Sequence, residues 1–293
     1  MTDPLQPDFR VTIPFPGHMA KARRVLSDNI RLADVVLEVT DARAPEAARN
    51  PELDELMARR QRLLVLNKAD LADPRGNEAW VRRYSGLGLT AIPVDSTSGR
   101  GYDSLRRAMS GLTQRRSSTR TGGGQPLRAI VVGIPNVGKS TVINRLVGRG
   151  RARTGARPGI TRGKQWVRTE FGLELLDLPG IAWPRVGTAL ESIFLATIGT
   201  VAPEHYDVEA VAGWLWEYLV CREPERLTDR FGLAELPADG SQGLVTIGER
   251  RGCLRTGGVV DTAAAAELLV REFSTGKIGP ITLQWPEVQN GDS

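Results

Sequence analysis

The stretch Gly133-Ile-Pro-Asn-Val-Gly138-Lys139-Ser140 constrains this chain more than any other. It follows the apolar run LRAIVV, residues 127–132, and opens a helical pattern from Lys139 to Leu146. The spacing G-x-x-x-x-G-K-[ST] between a strand and a helix is that of a phosphate-binding loop. Its glycines let the backbone curl until successive N–H groups converge on an anion, and the helix N-terminus adds a partial positive charge. Asn136, Val137, Gly138, Lys139, Ser140 and Thr141 are therefore the expected phosphate contacts, with Lys139 reaching the β- and γ-phosphates and Ser140 ligating Mg²⁺. A fold that holds such a loop is α/β.

The rest of the first two thirds agrees with that frame. Helical patterns at 18–33, 53–60, 78–84 and 105–112 alternate with short apolar runs at 35–40, 63–66 and 91–94. Two more short strands are expected at 165–169 and 173–176. Buried strands between helices form a mostly parallel, doubly wound sheet covered on both faces. Residues 114–125, QRRSSTRTGGGQ, read as a flexible connector. Past Pro184 the pattern changes. Val208, Val211, Ala212, Leu215 and Leu219 make one helical stripe, and 263–273 make another helix, with Trp214 and Trp216 as core aromatics. The chain thus divides into residues 1–185, an α/β domain with a P-loop core, and residues 186–293, a mainly α-helical domain.

Three further motifs name the ligand. Asn67-Lys68-Ala69-Asp70 ends an apolar strand, where a doubly wound sheet places ligands. Asp70 can accept from the N1–H and 2-amino groups of guanine, donors that adenine lacks, and sites of this kind discriminate by roughly 10⁴-fold. Asn67 is expected to tie this loop to the phosphate loop, and the Lys68 stem to cover the base. Ser96 and Thr97 follow the next strand and are candidates for backbone contact with the guanine oxygen. Asp177-Leu-Pro-Gly180 ends another strand. There Asp177 can hold Mg²⁺ through water, and the Gly180 N–H can meet the γ-phosphate. Thr161 lies between the two phosphate motifs and can complete the Mg²⁺ shell. Together these residues make a GTP and GDP site with Mg²⁺ as cofactor.

Charge adds a partner. The formal net charge is +5, yet residues 1–186 carry 31 basic against 18 acidic side chains, and the remainder is acidic. Arg145, Arg149, Arg151, Arg153, Arg157, Arg162, Lys164 and Arg168 form a run with no Asp or Glu. Such asymmetry points to nucleic acid or another polyanion. No stretch of about 18 apolar residues occurs, so no transmembrane helix is expected. The polar N-terminus lacks the features of a secretory signal. Cys221 and Cys253 have no metal or redox spacing, which fits reduced thiols in the cytoplasm. A monomer is expected.

The order of the motifs is unusual: the guanine loops precede the phosphate loop. With Phe15-Pro-Gly-His-Met-Ala-Lys-Ala-Arg23, Asp41-Ala-Arg-Ala-Pro45, Arg49-Asn-Pro51 and Arg250-Arg-Gly-Cys-Leu254, this order resembles the RbgA/YlqF family of circularly permuted ribosome-biogenesis GTPases, from Phe15 to about Leu283. The resemblance implies GTP hydrolysis in late assembly of the large ribosomal subunit, with ribosomal RNA as partner and activator and with the helical domain, residues 186–293, contacting ribosome or RNA. It also implies that His18 positions the attacking water, because Ile181 stands where other GTPases carry a glutamine. Asn136 matches a position linked to K⁺ in related GTPases, which makes K⁺ a candidate ion. The alternative is a module that binds GTP and RNA without turning GTP over.

Overall fold

A computed structural model describes residues 6–7, 9–11, 24, 27–49, 52–57, 60–119, 126–148, 166–169, 173–177 and 187–287. Their elements divide between two compact units. One is drawn from Phe15–Arg185 with Gln284–Ser293, the other from Val186–Leu283 with Met1–Pro14. Both ends of the chain thus depart from the expected division at 185. Gln6 to Val11 belongs with the helices, where the Val11 N–H donates to Ser192 Oγ at 3.1 Å. Gln284 to Glu287 belongs with the sheet.

In the first unit the order is β1 (Val35–Asp41), α1 (Glu52–Met57), β2 (Gln61–Asn67), α2 (Pro74–Gly86), β3 (Thr90–Val94), α3 (Tyr102–Thr119), β4 (Leu127–Val132), α4 (Lys139–Val147), β5 (Trp166–Arg168) and β6 (Leu173–Asp177). The sheet runs β3-β2-β1-β4-β6-β5. Every pair is parallel except β5 with β6, which is antiparallel. All seven residues of β1 are buried, as expected for the middle of a covered sheet.

Register shows how the sheet is covered. Val36 pairs with Ile130 and shares a cluster with Val132, Leu176, Ala33 and Met57. Leu64 pairs with Glu38, two residues on from Val36 and so on the same face. With Leu66, it packs on Trp80 and Tyr84 of α2. So α1 and α2 cover one face. The crossover from β3 back to β4 runs in the opposite direction, and right-handed connections then place α3 on the other face. The strand order reverses between β1 and β4, and the crevice at that reversal is where an open α/β sheet binds ligands.

α3 continues to Thr119 and absorbs half of the stretch expected to be a flexible connector. Gln and Arg are good helix formers, and no glycine or proline falls between Gln114 and Thr121. Residues 120–125 lie outside the described residues.

The second unit contains α5 (Ala189–Thr197), α6 (Val208–Arg222), α7 (Pro224–Phe231), α8 (Gly240–Arg251) and α9 (Thr262–Ser274), with one 3₁₀ turn at Pro203–His205. Side-chain caps set the helix starts: Thr188 and Glu191 form a capping box, and Asp207, Asp239 and Asp261 accept from first-turn amides. α6 buries Val211, Ala212, Leu215 and Leu219 as its stripe requires, and Trp214 and Trp216 are core residues. Trp216 is fully buried, and its Nε1 donates to the Pro237 carbonyl at 2.7 Å. Among the described residues no helix is long and apolar enough to cross a membrane, and both cysteines are free.

Candidate nucleotide-binding site

The phosphate loop joins β4 to α4 at the sheet reversal. Asn136 has φ 61° and Gly138 φ 93°, a left-handed path that asparagine and glycine adopt most easily. A Cβ on Gly138 would lie 2.2 Å from Asn67 Nδ2, so space as well as φ demands glycine there. Val137 and Lys139 are buried, while Ser140, Thr141 and Asn136 are exposed. Lys139 Nζ donates to the Ile134 carbonyl at 2.6 Å, which holds the ammonium across the loop.

Asn67 does what its motif suggests: its Nδ2 donates to the Val137 carbonyl at 2.7 Å, across 70 residues of chain. Its Oδ1 accepts from Ser96 Oγ at 2.6 Å, and Ser96 Oγ lies 2.8 Å from the Tyr102 hydroxyl. One buried asparagine therefore joins the loops after β2, β3 and β4. The residues that follow are shaped to match. Lys68 takes φ 58°, the Ala69 N–H donates to the Val94 carbonyl at 3.1 Å, and Asn77 Nδ2 donates to the Ala69 carbonyl at 2.9 Å. Asp70 is half-buried, and burial raises its carboxyl above its ordinary pKa.

Sequence reasoning missed three supports. Asp41, at the end of β1, has Lys68 Nζ at 3.0 Å and takes the Arg43 guanidinium in a two-pronged pair at 2.9 and 2.8 Å. Burial alone would raise the Asp41 carboxyl, but Arg43 and Lys68 outweigh it and hold it at about 2. Asp95 Oδ1 accepts from the Thr97 and Ser98 amides at 2.8 and 3.1 Å, and Asp95 Oδ2 accepts from Ser98 Oγ. The Thr97 amide, a candidate for guanine contact, is thus engaged by Asp95, and the Ser96 hydroxyl ties loops together. Arg145, read as part of the basic run, donates to the carbonyls of Thr97 and Ser98 and stacks 5.7 Å from the Tyr102 ring centroid. The sequence Asp-Ser-Thr-Ser could have signalled the Asp95 turn; Asp41 stands in the Asp41-Ala-Arg-Ala-Pro45 stretch, which gave it no role, and nothing beside Arg145 signals its contact with the loop after β3.

β4 and β6 are neighbours with Val131 opposite Asp177, so Asp177 ends the strand beside the one that leads into Ser140. His18, Thr161, Gly180, Ile181 and the basic residues from Arg149 to Lys164 lie outside the described residues.

A phosphate loop locked to an Asn-Lys-Ala-Asp loop that precedes it in the chain defines a circularly permuted P-loop GTPase. A family model described as 50S ribosome-binding GTPase matches residues 128–208. Ribosome biogenesis GTPase A of Priestia megaterium is 41% identical over 276 residues, covering 93% of this chain and 96% of that protein. The protein of the same name from Thermotoga maritima is 31% identical, covering 93% and 94%. Mitochondrial ribosome-associated GTPase 1 of Bos taurus is 31% identical, covering 92% and 87%. The GNP-bound structure of YlqF from T. maritima superposes with a TM-score of 0.65 at 27% identity, covering 91% of this chain and 99% of that one. The chain belongs to the RbgA/YlqF family of ribosome biogenesis GTPases. It is an enzyme that hydrolyses GTP, which sets aside the reading of a binding module without turnover.

Proposed function

We propose that this chain uses GTP hydrolysis to drive late assembly of the large ribosomal subunit, as a cytoplasmic monomer with ribosomal RNA as partner and activator. The observation that carries the reading is the Asn67–Val137 hydrogen bond, which locks a guanine loop onto a phosphate loop in a member of the ribosome biogenesis GTPases. In this proposal Asp70 accepts from the guanine N1–H and 2-amino group, and the Lys68 stem covers the base. Backbone amides of Asn136 to Thr141 cradle the phosphates, Lys139 leaves the Ile134 carbonyl for a phosphate oxygen, and the Gly180 N–H meets the γ-phosphate.

Ser140 and Thr161, with Asp177 through water, would hold Mg²⁺, which would supply positive charge to offset that of the phosphates. Asn136 contributes to a K⁺ position, and His18 orients the attacking water. A neutral imidazole can accept from that water while donating to a neighbour. The basic run from Arg145 to Arg168 faces RNA phosphates, apart from Arg145 itself, which the guanine-side loop occupies.

Co-sedimentation with purified ribosomal subunits tests the proposal. The chain should pellet with large subunits when loaded with a non-hydrolysable GTP analogue and release with GDP. Its log affinity should fall linearly with log salt, by roughly 0.7 to 0.9 per phosphate contact. Binding to small subunits alone, or to neither, sinks it.

A further inference from the structure

Gln284 is the first residue after the helical unit, and it is built into the GTPase unit by four hydrogen bonds. Its N–H donates to the Arg43 carbonyl at 3.1 Å. Its side-chain Oε1 accepts from the amides of Glu46 and Ala47 at 3.0 and 2.9 Å. Its carbonyl accepts from Trp80 Nε1 at 2.7 Å. Glu46 and Ala47 lie in a single helical turn, in which the Ala48 N–H returns to the Ala44 carbonyl at 3.0 Å. The first N–H groups of such a turn have no partner within it. Here a carboxamide 238 positions from Glu46 caps them.

That turn leads directly into the base site. Arg43, whose carbonyl Gln284 grips, forks onto Asp41, and Asp41 holds Lys68 Nζ at 3.0 Å. Asp41 and Arg43 are both buried, so a shift of the turn has little slack to absorb it. On the other side of Gln284 the chain belongs to the helical unit. Ile281 and Leu283 are buried, and the Thr282 carbonyl accepts from the Tyr218 hydroxyl at 3.0 Å.

We propose that Gln284 is a positioning residue for the guanine site. It fixes the turn from Arg43 to Ala47, and through Arg43 and Asp41 it sets the place of the Lys68 ammonium. The grip on the base thereby depends on the residue where the chain leaves the helical unit. This rests on reading Asn67 to Asp70 as the base loop.

The test is a titration of the full chain with a fluorescent GDP analogue in a double-mutant cycle. Gln284→Leu removes the acceptor and should weaken GDP by roughly three- to tenfold. Gln284→Glu keeps an acceptor oxygen and should bind near the wild-type level. Gln284→Asn keeps the amide but falls one methylene short, and serves in place of the leucine variant if that one does not fold. In a Lys68→Ala background the Gln284 substitution should cost nothing further. Wild-type affinity for Gln284→Leu, while Lys68→Ala is weakened, overturns the proposal. So does an undiminished loss in the Lys68→Ala background. If Lys68→Ala itself binds GDP normally, the base-site reading falls first and the proposal falls with it.

Discussion

The two units are built on opposite terms. In the GTPase unit the sheet's ligand-facing end buries Asp41, Arg43, Asn67, Asp95, Ser96 and Lys139, all polar and each with a polar partner. In the helical unit the core is apolar, with few buried polar groups, and the polar work is done at helix starts by Thr188, Asp207, Asp239 and Asp261. Burying polar groups costs stability unless each is satisfied. A protein accepts that cost where a ligand must be met by fixed donors and acceptors. The comparison therefore teaches which unit is tuned for chemistry and which for packing, and it can be broken by substitutions of equal size on the two sides.

The largest effect should come from Gly138→Ala. The methyl would stand 2.2 Å from Asn67 Nδ2, at a φ of 93°. Left-handed backbone costs alanine about 1–2 kcal/mol, and loss of the Asn67–Val137 bond leaves buried groups unpaired at about 1–3 kcal/mol more. The binding-competent loop becomes rare, and GDP affinity should drop by about a thousandfold. Isothermal titration checks this, and a loss under tenfold would show that the two loops are not locked.

The matching substitution in the helical unit is Gly243→Ala. Its methyl would fall 2.3 Å from the ring of Trp216, which is fully buried and pinned by its bond to Pro237. Overpacking of this kind costs about 3 kcal/mol. Chemical denaturation should show the loss, and GDP affinity should stay at the wild-type level. A matching drop in GDP affinity would mean that the two units share one stability.

Acid should separate the units next. Asp41 titrates at about 2, below its ordinary value of 3.8, because Arg43 and Lys68 overcome the effect of burial. A carboxyl lowered on folding stabilises the fold above its unfolded pKa and loses that contribution as pH falls towards 2. The shift corresponds to about 2 kcal/mol, present at neutral pH and lost between about pH 4 and pH 2. Asp41→Asn should remove that part of the acid dependence, read by circular dichroism melts across this pH range. An unchanged pH profile would show that the Asp41 pairs contribute nothing net.

Legibility followed the same divide. The strand-loop-helix of the phosphate loop and the tie to it from Asn67 could be read because they are written in contiguous residues with fixed spacing. The stripe of α6 could be read from its period. What stayed hidden depends on partners far away in sequence. Asp41 meets Lys68, Arg145 meets the carbonyls of Thr97 and Ser98, and Gln284 caps a turn near the start of the sheet. Nothing in the neighbouring sequence names these partners. The exchange of both chain ends between the units was missed for the same reason, because short polar segments carry no period. The end of α3 was misjudged because serine and arginine suit a connector and a helix alike.

The smallest effect sharpens the comparison most. Asp73 caps α2 in the GTPase unit, accepting from the Arg75 amide at 2.8 Å. Asp239 caps α8 in the helical unit, accepting from the Gln242 amide at 2.9 Å. Replacing either with alanine should cost about 1 kcal/mol, which in a unit of this size lowers the melting midpoint by roughly 4 °C. A ligand that binds only the native GTPase unit stabilises that unit in proportion to its occupancy and leaves a thermodynamically separate unit untouched. Saturating GDP should therefore restore the midpoint of Asp73→Ala and leave that of Asp239→Ala low. Differential scanning calorimetry with and without GDP reads both transitions in one sample. If GDP rescues both caps equally, the units unfold together, and the polar unit's nucleotide stabilises the apolar one as well.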